Sequence, residues 1–290
     1  MISHKIKFNN HYFQAYSING DTDLPSVHFS HANGFNALAY KSLLEKISTN
    51  HKIVAYDLRG HGFSNLPADP KKLKSWYRYS EDLEGILNQS SAPSTLIGHS
   101  MGGTSSLLVA LKRPDLISKV ILIDPVIMPI SYWIGSSILK KFKSLGMIKQ
   151  IHPEITRALN RKKAWLSKEE AFKYFSGKKL FNKIKSEIIQ DYIDGGITKI
   201  NDDLYELCCS PSWEAANFEL TPGEVWLNLK KNDLKIKIIL TPNSFVCNKK
   251  TQQKLKKFMP QAEIVFIENT THMLPLENPS TVSKEIINFL

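Results

Sequence analysis

Short apolar runs alternate with stretches of helical spacing through the first 125 residues. The opening segment, 5–18, alternates apolar and polar positions between Asn9-Asn10 and Asn19-Gly20, which predicts a β-hairpin at a sheet edge. Apolar runs at 27–31, 52–58 (KIVAYDL), 95–98 and 119–124 (KVILID) predict strands. Between them, 37–47, 76–87 and 102–112 carry helical spacing, and Pro114 ends the last of these. Strands buried on both faces read as continuous apolar runs, and parallel neighbours need helical crossovers. The alternation therefore predicts an α/β fold with a buried, mostly parallel sheet.

The rhythm stops after Pro125. From about 129 to 218 no clear strand stands out, and lysine is dense, as in LKKFKS and GKKLFNKIKS. It resumes with a strand at 235–240 (KIKIIL), a helix at 249–258, a strand at 263–267 and a last helix at 279–289. The expected organisation is one sheet domain made of 1–128 and 219–290, interrupted by a helical cap at 129–218. Open α/β sheets bind ligands at the carboxyl ends of their strands. The insertion leaves the strand ending at Asp124 at that edge, so it is placed to roof a site there.

The string Leu96-Ile97-Gly98-His99-Ser100-Met101-Gly102-Gly103 holds G-x-S-x-G between a strand and a helix. Ser100 is the expected nucleophile, lifted above the sheet edge by a strained turn. Gly98 and Gly102 give strand and helix room to cross. The backbone N–H of Met101, at the helix start, faces a developing oxyanion. The loop after strand 27–31 (HANGF) supplies the second donor, with the Asn33 amide first and Gly34 behind it.

A serine hydroxyl needs a general base. Only His152 and His272 follow Ser100, and His152 sits in the insertion with no strand before it. His272 follows the last strand, in EIVFIENTTHMLPLENP, and is the expected base. The orienting acid is less direct. The loop after KIKIIL, 241–250, contains no Asp or Glu. Asp233 and Glu263 lie at the wrong ends of their strands. Asp124 closes the strand beside the nucleophile's and is the expected acid, with a Ser–His dyad helped by Ser244 or water as the other option. Gly34, His99 and Trp133 are expected substrate contacts. Trp165, Trp213 and Phe218 are further aromatic positions for the pocket, and Asp194-Gly195-Gly196 is expected to form a flexible turn that hinges the cap. The Gly-rich loop Asp57-Leu58-Arg59-Gly60-His61-Gly62 reads as structural, locked by a buried Asp57–Arg59 pair. His61 has no ligand partners at metal spacing.

Composition changes this picture little. The net charge of +11 raises nucleic-acid and lipid-surface alternatives. No zinc-finger spacing, RNA-binding motif or basic heptad accompanies it, so no nucleic-acid partner is expected. The basic amphipathic stretch Tyr132, Trp133, Ile134, Ile138, Leu139, Phe142 with Lys140, Lys141 and Lys143 suits either a lid over an apolar acyl pocket or a helix resting on anionic lipid. Cys208, Cys209 and Cys247 form no disulfide or metal pattern. With no signal-peptide core and no apolar run of spanning length, a cytoplasmic protein without stable membrane insertion is expected, as monomer or homodimer.

Together, HANGF, DLRGHGFS, GHSMGG and HMLPLENP resemble the α/β-hydrolase superfamily, over roughly residues 25–128 and 232–290. The resemblance implies an eight-stranded, mostly parallel sheet, a helical cap, and hydrolysis without metal or other cofactor. Certain esterases and haloalkane dehalogenases in the superfamily carry their acid after the strand that follows the nucleophile helix, the position of Asp124. The chain departs from the common pattern at Phe245, near where the later acid would stand. RKKAWLSKEEAFKYF…CCSPSWEA is similar to the cap of a loosely characterised bacterial branch. Dehalogenases and epoxide hydrolases need an aspartate nucleophile, so serine points instead to acyl transfer. The expected function is hydrolysis of a carboxylic ester or related small apolar acyl substrate. The alternatives are C–C bond or thioester hydrolysis on the same triad, and a non-catalytic small-ligand receptor.

Overall fold

In the computed structural model, residues 1–20, 22–90, 92–141, 153–220, 222–229 and 233–290 are described. Phe142, Lys143 and His152 lie outside them. Strands β1 (Ile2–Phe8) and β2 (His11–Ile18) form the antiparallel edge hairpin. Then come β3 (Ser26–Ser30), α1 (Lys41–Ile47), β4 (Lys52–Tyr56), α2 (Tyr77–Leu87), β5 (Ser94–His99), α3 (Met101–Lys112) and β6 (Ile117–Ile123). After a long intervening segment the sheet resumes with β10 (Ile236–Leu240), helix α10 (Lys249–Phe258), β11 (Glu263–Phe266), a short helix α11 (Leu274–Glu277) and α12 (Pro279–Ile287). Eight strands lie in the order β1-β2-β4-β3-β5-β6-β10-β11. Among the described residues of this sheet, only β1/β2 and β2/β4 are antiparallel.

The alternation of strand side chains divides the core into two layers. Phe29, Ile97, Ile121, Ile123 and Ile239 pack on one face, and Leu96, Val120, Leu122, Ile238 and Leu240 on the other. β5 is buried at all six positions, which is why it reads as a run and not as an alternation. Register brings the carboxyl ends together: Ser30 pairs with Gly98, His99 with Ile123, and Ile123 with Ile239. The loops after β3, β5, β6 and β10 thus leave from one edge.

The segment between β6 and β10 contains α4 (Ile130–Lys141), α5 (Pro153–Leu159), β7 (Ala164–Trp165), α6 (Lys168–Ser176), α7 (Ser186–Gly196), β8 (Ile197–Asn201), β9 (Leu204–Leu207), α8 (Pro211–Glu219) and α9 (Glu224–Asn228). The expectation that this segment lacks strands is corrected: β7, β9 and β8 form an antiparallel sheet of their own. These strands are short, and ITKIN and LYEL are only partly buried, so no apolar run marks them. Asp194-Gly195-Gly196 is not a free turn either. It closes α7, and a Cβ on Gly195 would meet Asn36 Oδ1 at 2.3 Å, so glycine allows α7 to abut the loop after β3. No helix among the described residues is long and apolar enough to cross a membrane.

The crossing of β5 and α3 gives a direct test of packing. A Cβ on Gly102 would lie 2.2 Å from Ser30 O and 2.6 Å from His31 O, both backbone atoms of the neighbouring strand end. Gly102→Ala is expected to lower stability by about 3 kcal/mol, because the clashing atoms are backbone and not the far end of a flexible side chain. Urea unfolding measures it; a loss below about 1 kcal/mol would show that the crossing yields.

Candidate active site

Ser100 stands between β5 and α3 with φ 56° and ψ −118°. Such a conformation costs a non-glycine residue about 1–3 kcal/mol and needs outside support. The support is backbone: Ser100 N donates to Ile123 O at 2.9 Å, and Thr104 N donates to Ser100 O at 3.1 Å. A Cβ on Gly98 would lie 2.4 Å from Gly102 O, so glycine at 98 lets the turn close. Asp124, the residue after β6, is also left-handed at φ 39° and is fully buried. Its N–H donates to Ile239 O at 2.8 Å, which ties it to β10 as well as β6.

His272 enters from the loop after β11. Its Nδ1–H donates to Asp124 Oδ2 at 2.6 Å, and its Nε2 accepts from Ser100 Oγ at 2.9 Å. Asp124 therefore reaches the imidazole from the β6 side, where the loop after β10 offers no carboxylate. Glu277, not anticipated from sequence, fixes the loop by accepting from Thr271 N at 2.7 Å and Thr271 Oγ1 at 2.6 Å. Thr241 Oγ1 donates to Thr270 O at 2.6 Å from the loop after β10.

His99 is corrected from a substrate contact to an internal brace. It is fully buried, and both ring nitrogens are engaged. Nε2–H donates to His272 O at 2.8 Å, and Nδ1 accepts from Tyr40 OH at 2.6 Å. The Tyr40 oxygen in turn accepts from Ala32 N at 3.3 Å. Burial holds the His99 imidazole far below its usual range, followed by the influence of His272, so it is neutral and this direction of donation is consistent. The chain links the loop after β3 to the backbone of His272. Neither Tyr40 nor this link has a signature in the sequence.

In the HANGF loop, the Ala32 carbonyl accepts from His31 Nδ1 at 2.8 Å and from Phe35 N at 3.2 Å. A trans peptide sets N–H opposite C=O, so fixing this carbonyl also fixes the Asn33 N–H on the other side. Among the described residues that amide has no protein acceptor. Met101, first in α3, has no acceptor within its helix. Gly34 is corrected as a reserve donor: its N–H donates to His61 Nε2 at 3.0 Å. Trp133 is half-buried, with its indole laid against Gly223. Trp165 and Trp213 are buried, Trp213 donating Nε1–H to Arg59 O at 3.0 Å.

The Asp57–Arg59 pair does not form. Arg59 instead makes a two-pronged pair with Asp82 on α2, at 2.6 and 2.8 Å. Asp57 accepts from Ala37 N and Phe63 N, both at 2.9 Å, and burial pushes its carboxyl up to about 7 against those two amides. Its task is to join the loops after β3 and β4. His61 donates Nδ1–H to Arg59 O at 3.0 Å. Among the described residues no group of three or more His, Cys, Asp or Glu is arranged to hold a metal ion, and the three cysteines are free.

The family profile described as Serine aminopeptidase, S33 matches residues 25–279. The mouse protein sn-1-specific diacylglycerol lipase ABHD11 is 36% identical over 127 residues, 42% of this chain and 38% of that protein. The chain thus matches well under half the length of that lipase. The uncharacterised hydrolase YugF of Bacillus subtilis is 25% identical across 97% of this chain and 94% of its own length. Among solved structures, E-2-(acetamidomethylene)succinate hydrolase superposes with a TM-score of 0.78 at 18% identity, covering 99% of this chain and 98% of that one. With its mostly parallel eight-stranded sheet flanked by helices and a profile match over most of its length, the chain belongs to the Serine aminopeptidase, S33 family of α/β hydrolases.

Proposed function

We propose that this hydrolase cleaves a carboxylic ester or related acyl substrate through an acyl-enzyme on Ser100. The observation that carries the reading is the continuous relay from Ser100 Oγ through His272 to Asp124, at 2.9 and 2.6 Å. Ser100 Oγ attacks the carbonyl carbon as its proton passes to His272 Nε2. Asp124 holds Nδ1–H and stabilises the imidazolium. The amides of Met101 and Asn33 donate to the oxyanion. The imidazolium then returns the proton to the leaving oxygen, and the C–O bond breaks. Water attacks the acyl carbon, giving its proton to His272, and the acid leaves with Ser100 restored.

An apolar substrate is favoured by Phe245, which is 62% exposed and whose ring lies 5.7 Å from that of His272. The lipase name of the mouse relative fits ester cleavage. Residues 129–218 would cap the site, and three free thiols fit a reducing, cytoplasmic compartment. The test is a fluorophosphonate probe followed by peptide mass spectrometry, beside a panel of esters and thioesters. One adduct on the Ser100 peptide and turnover of short-chain esters are expected. No adduct would sink the reading, and thioester-only turnover would replace the ester by its sulfur analogue.

A further inference from the structure

We infer that Arg161, Tyr192 and Glu214, on the segment between β6 and β10, are positioning residues for the oxyanion loop at Asn33–Gly34; the catalytic consequence rests on the hydrolase reading above. They come from three places: Arg161 just after α5, Tyr192 on α7 and Glu214 on α8. All three converge on the loop. Asn33 Nδ2 donates to Glu214 O at 3.1 Å, and Tyr192 OH donates to Gly34 O at 3.3 Å. Asn36 Nδ2 donates to Tyr192 O at 2.8 Å. Gly34 has φ +74°, and a Cβ there would stand 2.6 Å from Glu214 Oε1, so the carboxylate is packed directly on the loop backbone.

A carboxylate so close to a site of developing negative charge opposes the reaction unless it is neutralised. Arg161 supplies that. Its Nη1 donates to Glu214 Oε2 at 2.6 Å, its Nη2 donates to Tyr192 OH, and its guanidinium lies 5.4 Å from the Phe175 ring centroid. Side-chain exposures of 16% and 12% leave the pair little water to screen it. The loop's inner side is held by His31, His61 and Tyr40 from the sheet domain. Its outer side is held from the intervening segment.

Neutralisation and simple bracing part at the double variant. Both single variants break the ion pair, and Arg161→Met also loses the bond to Tyr192 OH and the contact with Phe175, as the double variant does. Arg161→Met also leaves a bare carboxylate beside the loop, whereas Glu214→Gln leaves none. In steady-state ester kinetics, Arg161→Met is expected to lower kcat about 100-fold with KM within about threefold. Glu214→Gln is expected to lower kcat no more than about tenfold, and the double variant to recover to that level. Equal losses, or a double variant no better than Arg161→Met, would overturn the inference. Hydrogen exchange supplies a readout independent of turnover: the amides of Ala32, Gly34 and Phe35 should lose protection in Tyr192→Phe and Arg161→Met while the central strands keep theirs. Unchanged protection there overturns positioning even if the esters prove to be the wrong substrates. An unlabelled, inactive wild type with the exchange result intact would instead count against the hydrolase reading alone.

Discussion

Asp124→Asn is expected to lower kcat/KM for an ester substrate about 10,000-fold while leaving the fold in place. Asp124 Oδ2 accepts the Nδ1–H of His272 at 2.6 Å, and this bond selects the tautomer in which Nε2 is free to take the Ser100 proton. An asparagine of the same shape can turn an N–H toward Nδ1. The imidazole then carries its proton on Nε2, points it at Ser100, and cannot act as a base. The imidazolium formed during attack also loses its counter-charge. Ser100→Ala gives the floor for the comparison, since it removes the proposed nucleophile outright. Steady-state kinetics on both variants, with circular dichroism to monitor folding, decides the matter. Activity within about tenfold of wild type would show that the dyad suffices and that Asp124 has another task. The left-handed Asp124 backbone remains compatible with asparagine, one of the residues that tolerates that region best.

Much of the fold was legible because its signals are local. β5 and β6 are buried on both faces, so STLIGH and KVILID announce themselves as runs. The turn at Ser100 needs glycine at 98 and 102 for backbone clearance, and that need is written into the motif. The expectation for Asp124 rests on elimination together with topology, since the 241–250 loop lacks carboxylates. What was not legible depends on groups far apart in sequence. Arg59 chooses Asp82, 23 residues away, over the nearby Asp57, because two backbone amides already occupy Asp57. His99 stands beside Ser100 in sequence, yet its ring turns inward to Tyr40 and His272 O. The grip of Glu214 on Asn33 spans 181 residues. The β7–β9–β8 sheet leaves no apolar run in the sequence because its strands are half-exposed and short; Asn201-Asp202-Asp203, a turn-forming run between ITKIN and LYEL, is its one local sign.

Acid should destabilise this protein steeply below pH 6.5, where its buried histidines resist protonation. His28 and His61 are both buried, and burial pushes each down to about 4, with Lys52 adding to the effect at His28. A folded pKa below the unfolded value means that the unfolded chain binds the proton first. Stability is then fully present above pH 6.5 and falls as pH drops toward 4. Each histidine accounts for about 3 kcal/mol over that interval, against a total near 5–15 kcal/mol for a typical domain. His31 and His99 are held well below their ordinary value, chiefly by burial, and add in the same direction. Asp57 works the other way. Its raised pKa favours the folded state as pH falls through 7, which softens the decline without reversing it. His28 isolates the effect, because neither ring nitrogen has a hydrogen-bond partner among the described residues. Replacing it by leucine removes a group that must stay neutral and forfeits no hydrogen bond to the protein. Urea unfolding at pH 8 and pH 5 should show His28→Leu gaining about 2 kcal/mol more at the lower pH. A gain of the same size at both values would mean that His28 is solvated or paired in the folded state, and the acid sensitivity would have to come from the histidines that tie the active-site loops together.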